Sequence, residues 1–221
     1  MPITTEINNS VAHIRFDDGG LNIITPTIAA GFLQTVEFID ANPDVSSLLI
    51  EGNGRSFSAG LDTAVLQEGG EPAEQMQRDT ARLLRLLYES RLRIVSLCAG
   101  HATAVGAMLL LVSDYRVGVK DSGRIGFAEV ASGFALSEIA ILLARDRLNN
   151  KELFAATVLA RMYSPDNANT AGFLDIVMGD YKGARYHAIK EAQHLSKLDD
   201  EVYLTTMMRV RKKTLAAAQE I

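Results

Sequence analysis

The sequence is poor in cysteine, tryptophan, proline and excess basic charge. Its one cysteine, Cys98, cannot form an intrachain disulfide, excludes a cysteine-built metal centre and suits a reducing compartment. Lys plus Arg number 22 against 27 Asp plus Glu, for a formal net charge of −5. Nucleic-acid affinity rests on a basic face that displaces counterions, so this balance argues against a DNA or RNA partner. The longest apolar run, Ala102 to Val112, falls short of the roughly 20 residues that span a bilayer. The first residues, Met1-Pro2-Ile3-Thr4-Thr5-Glu6, have neither the basic start nor the apolar core of a secretory leader. Together these absences predict a soluble cytoplasmic protein with no membrane partner.

Other chemistry is missing too. His13, His101, His187 and His194 show no metal-ligand spacing beyond the interval between the last two, on a helix that reads as polar. Gly52-Asn53-Gly54-Arg55-Ser56 lacks the Gly-Lys-Ser/Thr ending of a P-loop and the third glycine of a dinucleotide fingerprint. No Gly-x-Ser-x-Gly elbow marks a serine hydrolase.

What is present is an ordinary globular composition. The 221 residues are 48% hydrophobic and 22% charged, enough to bury a sizeable core. Val11 to Phe16, Val45 to Ile50, Arg93 to Leu97, Tyr115 to Val119 and Arg124 to Phe127 are β-branched or aliphatic runs bounded by Asp, Gly and Asn, and read as strands. Between them, Thr25 as N-cap and Pro26 at the first helical position open a helix whose Ile28, Phe32, Val36 and Ile39 share a face. Pro72 opens a second helical run with Met76, Thr80, Leu83 and Leu87 on one side, and Ala104 to Val112 forms a third, almost wholly apolar. From about Ser137 strands nearly vanish and helices dominate. The expected architecture is α/β, with a core over residues 1–150 and a helical region over 151–221, joined at a soft boundary.

Three segments stand out chemically. Arg55-Ser56-Phe57-Ser58-Ala59-Gly60-Leu61-Asp62 follows a strand with small residues, which lets a ligand approach the backbone closely or two elements pack tightly. Cys98-Ala99-Gly100-His101-Ala102-Thr103-Ala104-Val105-Gly106-Ala107 is a strand-to-helix junction of the same small character, and its helix start presents unpaired N–H groups. Glu129 is the only charge between Arg124 and Glu138. A carboxylate in apolar surroundings has a raised pKa and suits proton transfer near neutral pH, although a turn glutamate also reaches solvent readily.

In this order the three segments resemble the crotonase, or enoyl-CoA hydratase/isomerase, superfamily from about Val11 to Met178. Phe57-Ser58-Ala59-Gly60-Leu61-Asp62 is similar to its first oxyanion segment. Ala99-Gly100 through Met108, followed by Ser113-Asp114-Tyr115-Arg116-Val117, is similar to its second. The resemblance implies a spiral of β-β-α turns, a C-terminal helical region used in trimer formation, and a homotrimer or dimer of trimers. It also implies an acyl-CoA substrate whose enolate is stabilised by the backbone N–H groups of Leu61 and Val105, with Glu129 as acid/base. Substrate contacts would come from Ser58, Ala59, Gly60, Asp62, Gly106 and Met108. No metal or other cofactor is implied, since coenzyme A arrives with the substrate.

Hydratases of the superfamily use two glutamates, and the first of those positions is Met108 here. The single-glutamate pattern resembles the mitochondrial Δ3-Δ2-enoyl-CoA isomerases, which implies transfer of a proton from C2 to C4 by Glu129. Glu138, near a helix start, is a possible second carboxylate for a hydratase. A non-catalytic acyl-CoA binder is the third alternative, because Val105 stands where the family usually has glycine. The C-terminal covering of the pocket is expected to be reduced or supplied by a neighbouring subunit. Asp62 is read as a loop cap, Asp114 and Arg116 as a structural pair, and His101 as a packed, hydrogen-bonded residue or a pocket wall. Arg209, Arg211, Lys212 and Lys213 are read as a solvated helix face or a contact for CoA phosphates, with Leu204, Met207 and Met208 packing on the body or a partner.

Overall fold

A computed structural model describes residues 2–218; residues 219–221 of the expected helical region lie outside the described residues. The chain begins with β1 (Ile3–Asn8), β2 (Val11–Phe16), β3 (Ile23–Ile24) and α1 (Pro26–Asp40). It continues with β4 (Ser47–Glu51), β5 (Ser56–Ser58), β6 (Gly60–Leu61), α2 (Thr63–Glu68) and α3 (Gly70–Glu89). Next come β7 (Arg93–Cys98), β8 (His101–Thr103), α4 (Val105–Leu111), β9 (Tyr115–Val119) and β10 (Ile125–Gly126). After a 3₁₀ turn at Val130–Ser132 follow α5 (Glu138–Arg147), α6 (Asn150–Thr157), α7 (Pro165–Ala171), β11 (Ile176–Met178), α8 (Tyr181–Leu195) and α9 (Asp200–Ala218).

A six-stranded sheet runs β1-β2-β4-β7-β9-β11, parallel throughout except for the β1–β2 pair. Smaller parallel sheets are built from β10-β8-β5 and β3-β6. Three times the chain leaves the large sheet, pairs in a small one and then forms a helix: β2 then β3 then α1, β4 then β5, β6 and the α2–α3 pair, β7 then β8 then α4. This is the expected β-β-α spiral. Parallel strands require such crossovers, and both faces of the sheet must then be covered.

Side-chain alternation along the strands serves both faces. Leu48, Ile50 and Ile94 enter the main core with Phe32, Val36 and Ile39 of α1 and Met76, Leu83 and Leu87 of α3. Leu49, Val95, Leu97 and Val117 point to the other face, where α8 supplies Ala184, Ala188 and Ala192. That four-residue spacing makes a smooth stripe, so the α8 backbone lies close against the sheet.

Most expected elements are found with shifted ends. Thr25 caps α1 as expected, accepting from the Ile28 N–H at 3.3 Å. The second helical run does not start at Pro72. Asp62 caps the separate α2, and Gly69, at φ 69°, turns the chain into α3. β1 escaped the sequence reading because it is a largely exposed edge strand without apolar alternation. Its two-residue connection to β2, Asn9-Ser10, has φ of 49° and 62°, as tight hairpin turns require. The region after residue 150 is also more than helical, since β11 pairs with β9 in the large sheet and α8 covers that sheet. No described helix is long and apolar enough to cross a membrane.

Ala188→Leu should overpack the α8–sheet contact and destabilise the protein by about 1–3 kcal/mol, read as a lower urea midpoint at unchanged slope. An unchanged midpoint would show that this face is loosely packed.

Candidate active site

The first loop is held by a buried amide. Asn22, fully buried and at φ 56°, donates through Nδ2 to the carbonyls of Phe16 at 2.8 Å and Ser56 at 2.9 Å. Its own carbonyl accepts from Ser58 Oγ at 2.8 Å, and that hydroxyl accepts in turn from the Gly60 N–H at 3.1 Å. The Asp62 N–H donates to the Ile24 carbonyl at 3.0 Å. Successive N–H groups of an extended chain alternate sides, so the Leu61 N–H turns away from β3.

On that far side stands the start of α4. Gly60 has φ of 93°, and a Cβ there would lie 2.8 Å from Ala104 Cβ and 3.3 Å from the Val105 nitrogen. Glycine is therefore required both by conformation and by the approach of two backbones. Ala104 adopts φ 53° and ψ −119°, a strained conformation for a residue with a side chain. Its N–H is pinned to the Gly126 carbonyl at 3.1 Å, and its carbonyl accepts from Ala107 at 2.9 Å and Met108 at 3.1 Å. The Val105 N–H belongs to the first helical turn and has no intrahelical acceptor. Gly106 fits α4 onto β5, because a Cβ there would fall 2.1 Å from the Ser58 carbonyl oxygen.

Both segments open on a cavity of about 530 Å³ lined by Ala59, Leu61, Val105 and Met108, with α3 on one side and the Ala128–Ile139 segment on another. Glu129 is the only acidic residue lining it among the described residues. Its Oε2 is buried without a hydrogen-bond partner. Desolvation pushes the Glu129 carboxyl above its ordinary pKa, against a smaller opposing pull from its own and the Ala128 amide. Met108 carries no proton to give or take and leaves the α4 side of the cavity apolar. The arrangement offers fixed N–H donors, an under-hydrated carboxyl group and an apolar wall, which suits stabilising an oxyanion beside a proton transfer.

Thus Ala59, Leu61, Val105, Met108 and Glu129 come together at the cavity. Ser58, Gly60, Asp62 and Gly106 do not line it. Ser58 and Gly106 are buried in the support, and Asp62 caps α2 by accepting from the Ala64 N–H at 3.0 Å. Glu138 is not brought to the cavity either: it is exposed in the first turn of α5, between Ser137 and Ile139, which do line it. Asp114 and Arg116 do not pair with each other. Arg116 donates to Asp175 at 2.8 Å, while Asp114 takes Arg211 at 2.6 Å, Tyr203 at 2.9 Å and the Ile94 N–H at 2.7 Å. Arg211 is accordingly buried, unlike the solvated basic face expected of it. His101 is exposed and accepts the Arg124 N–H at 3.2 Å.

Sequence reasoning missed Asn22 as the loop's anchor and Thr80 as a cavity residue. Asn22 carried no distinguishing local signal, and Thr80 sat at an apolar spacing that reads as core. The described residues hold no cluster of three or more His, Cys, Asp or Glu able to bind a metal. Burial raises the Cys98 thiol to about 12, which leaves it protonated and inert.

Comparison with known proteins agrees with this geometry. The enoyl-CoA hydratase/isomerase family matches residues 6–220. An enoyl-CoA hydratase from Mycobacterium marinum shares 30% identity over 100% of this chain and 96% of its own, with a TM-score of 0.92. An enoyl-CoA isomerase from Mycobacterium tuberculosis shares 30% over 99% of this chain and 95% of its own, at 0.91. Human mitochondrial Δ3-Δ2-enoyl-CoA isomerase shares the fold, at 21% identity, TM-score 0.90 and coverage of 98% and 86%. The chain belongs to the enoyl-CoA hydratase/isomerase family of thioester enzymes.

Proposed function

We propose that the protein is an enoyl-CoA isomerase that moves the double bond of a 3-enoyl-CoA to the 2-position. The observation that carries this reading is that, among the described residues, Glu129 is the one acidic residue lining the cavity, while α4 contributes Met108 to the same lining. In the proposed reaction the ionised Glu129 takes a proton from C2. The electron pair moves onto the thioester oxygen as a dienolate held by the Leu61 and Val105 N–H groups. The same proton returns to C4 as the double bond settles between C2 and C3. The proton lost is the proton regained, so no water, redox partner or resident cofactor enters the balance. Removing one oxyanion donor typically costs about 10²–10³-fold in rate, so the Leu61–Val105 spacing is central. Val105 fits this role because its amide, not its side chain, does the binding.

What favours this reading over a hydratase that pairs Glu129 with Glu138 is that Glu138 is exposed and is not among the residues that line the cavity. Association into trimers is supported by large apolar side chains left exposed near the C-terminal half, Phe154, Leu159, Val202 and Val210. The buried free thiol of Cys98 is compatible with a reducing cytoplasm.

Incubation with 3-enoyl-CoA thioesters should yield the conjugated 2-enoyl product, followed by its ultraviolet absorbance. Glu129→Gln should lower kcat by about 10²–10⁴-fold while leaving acyl-CoA binding nearly intact, and Glu138→Gln should leave turnover unchanged. Water addition to a 2-enoyl-CoA that disappears in Glu138→Gln would instead establish the hydratase.

Because burial raises the Glu129 carboxyl, the base form is lost as pH falls through a value above that of an exposed glutamate. The acid limb of kcat/KM should therefore lie above pH 4.5, the ordinary glutamate value. A limb at or below it would remove Glu129 as the base.

Gly106→Ala should push α4 off β5 and separate the two donors, with a fall in kcat on the order of 10²-fold. Unchanged kcat in the folded variant would show that the donors' spacing does not limit the rate.

A further inference from the structure

Arg211 is 4% exposed on α9, and its guanidinium meets two other parts of the chain. Nη1 donates to the Tyr88 carbonyl at the end of α3 at 2.7 Å, and the guanidinium carbon stands 4.4 Å from the centre of the Tyr88 ring. Nη2 donates to Asp114, just beyond α4, at 2.6 Å. The hydroxyl of the same Tyr88 donates to Asp146 of α5. One guanidinium thus stands where the ends of α3, α4 and α5 converge.

These three helices are also walls of the cavity. α3 lends it Ala81 and Leu84, α4 Val105 and Met108, and α5 Ile139. Leu84 and Tyr88 lie one turn apart on one side of α3, and Ile139 and Asp146 about two turns apart on α5. α3 packs chiefly on α1 and α5 chiefly on α9, so the junction with α9 relates one wall to the other. A buried charge pair is weak support for stability, because desolvation offsets its attraction, whereas its directional hydrogen bonds fix geometry. From this convergence we infer that Arg211 is a positioning residue for the acyl chain, setting the spacing of the α3, α4 and α5 walls through Tyr88 and Asp114. The Leu61 and Val105 amides do not depend on it, because Gly60 meets the Ala104–Val105 peptide by main-chain contact. The inference deepens the proposed acyl-CoA chemistry and rests on it.

The test measures binding of butyryl-CoA and octanoyl-CoA by calorimetry, which needs no turnover and reads affinity apart from the folded fraction, seen in the stoichiometry. A short chain stays near the amides, and a long one runs between the walls. Octanoyl-CoA should bind Arg211→Met about fivefold more weakly than wild type, with butyryl-CoA within about twofold. Tyr88→Phe, which removes only the tie to Asp146, should show a smaller loss of the same chain-selective kind. Ala188→Leu, a destabilised control on the far face of the sheet, should leave both affinities unchanged. The inference is overturned if folded Arg211→Met loses neither affinity or both equally, or if Ala188→Leu shows the same chain-selective loss. If Arg211→Met does not fold, an unchanged octanoyl affinity in Tyr88→Phe overturns it as well. Should neither thioester bind wild type, the acyl-CoA reading falls first and takes this one with it. Binding of both without a chain-selective loss removes Arg211 alone.

Discussion

The contact of Gly60 with the Ala104–Val105 peptide is the constraint on which the site depends. Two backbones meet there with no room for a Cβ, so the amides that follow are brought together by main-chain geometry. Fixed dipoles of this kind need no reorganisation as charge develops on a ligand oxygen, which is why rigidity at this contact has chemical value. The supports are correspondingly dense. Asn22 and Ser58 hold β5 and β6 from one side, while Gly106 lets α4 settle on the Ser58 carbonyl from the other. The strained Ala104 backbone is the local cost of turning directly from β8 into α4.

The second element of the site works by exclusion. Glu129 Oε2 is buried without a hydrogen-bond partner, and Met108 of α4 lines the same cavity with an apolar side chain. Burial raises the energy of the ionised form and so makes the carboxylate more basic than that of an exposed glutamate. Solvating the carboxylate with more donors would hold it more firmly and weaken it as a proton acceptor.

Much of this was legible in the sequence, for reasons that differ by element. The buried strands β4 and β7 carry near-continuous apolar cores because both faces of a parallel sheet are covered, and Thr25-Pro26 marks a helix start by local chemistry alone. Gly60 and Gly106 were visible as small residues, read from the sequence both as tight packing and as substrate contacts, and at both positions backbone meets backbone without room for a Cβ. β1 and β11 were hidden, one by its exposed side chains and the other by its three-residue length. Glu138 illustrates the limit of spacing arguments: its neighbours on both sides reach the cavity, and the direction of one side chain at a helix start decides the matter. Asn22, Thr80 and the partners of Asp114 depend on contacts across long stretches of chain, which no local pattern encodes.

Asp114 gathers Arg211 and Tyr203 of α9 and the Ile94 amide of β7 at a single carboxylate, while Arg93 in the same strand reaches Asp200 and the Leu198 carbonyl. Peeling α9 away would break these charge-assisted hydrogen bonds together, which are stronger than those between neutral groups. The stretch of α9 from Asp200 to Arg211 is thereby tied to the central strand β7 and to Asp114 at several points, so that its opening is coupled to theirs.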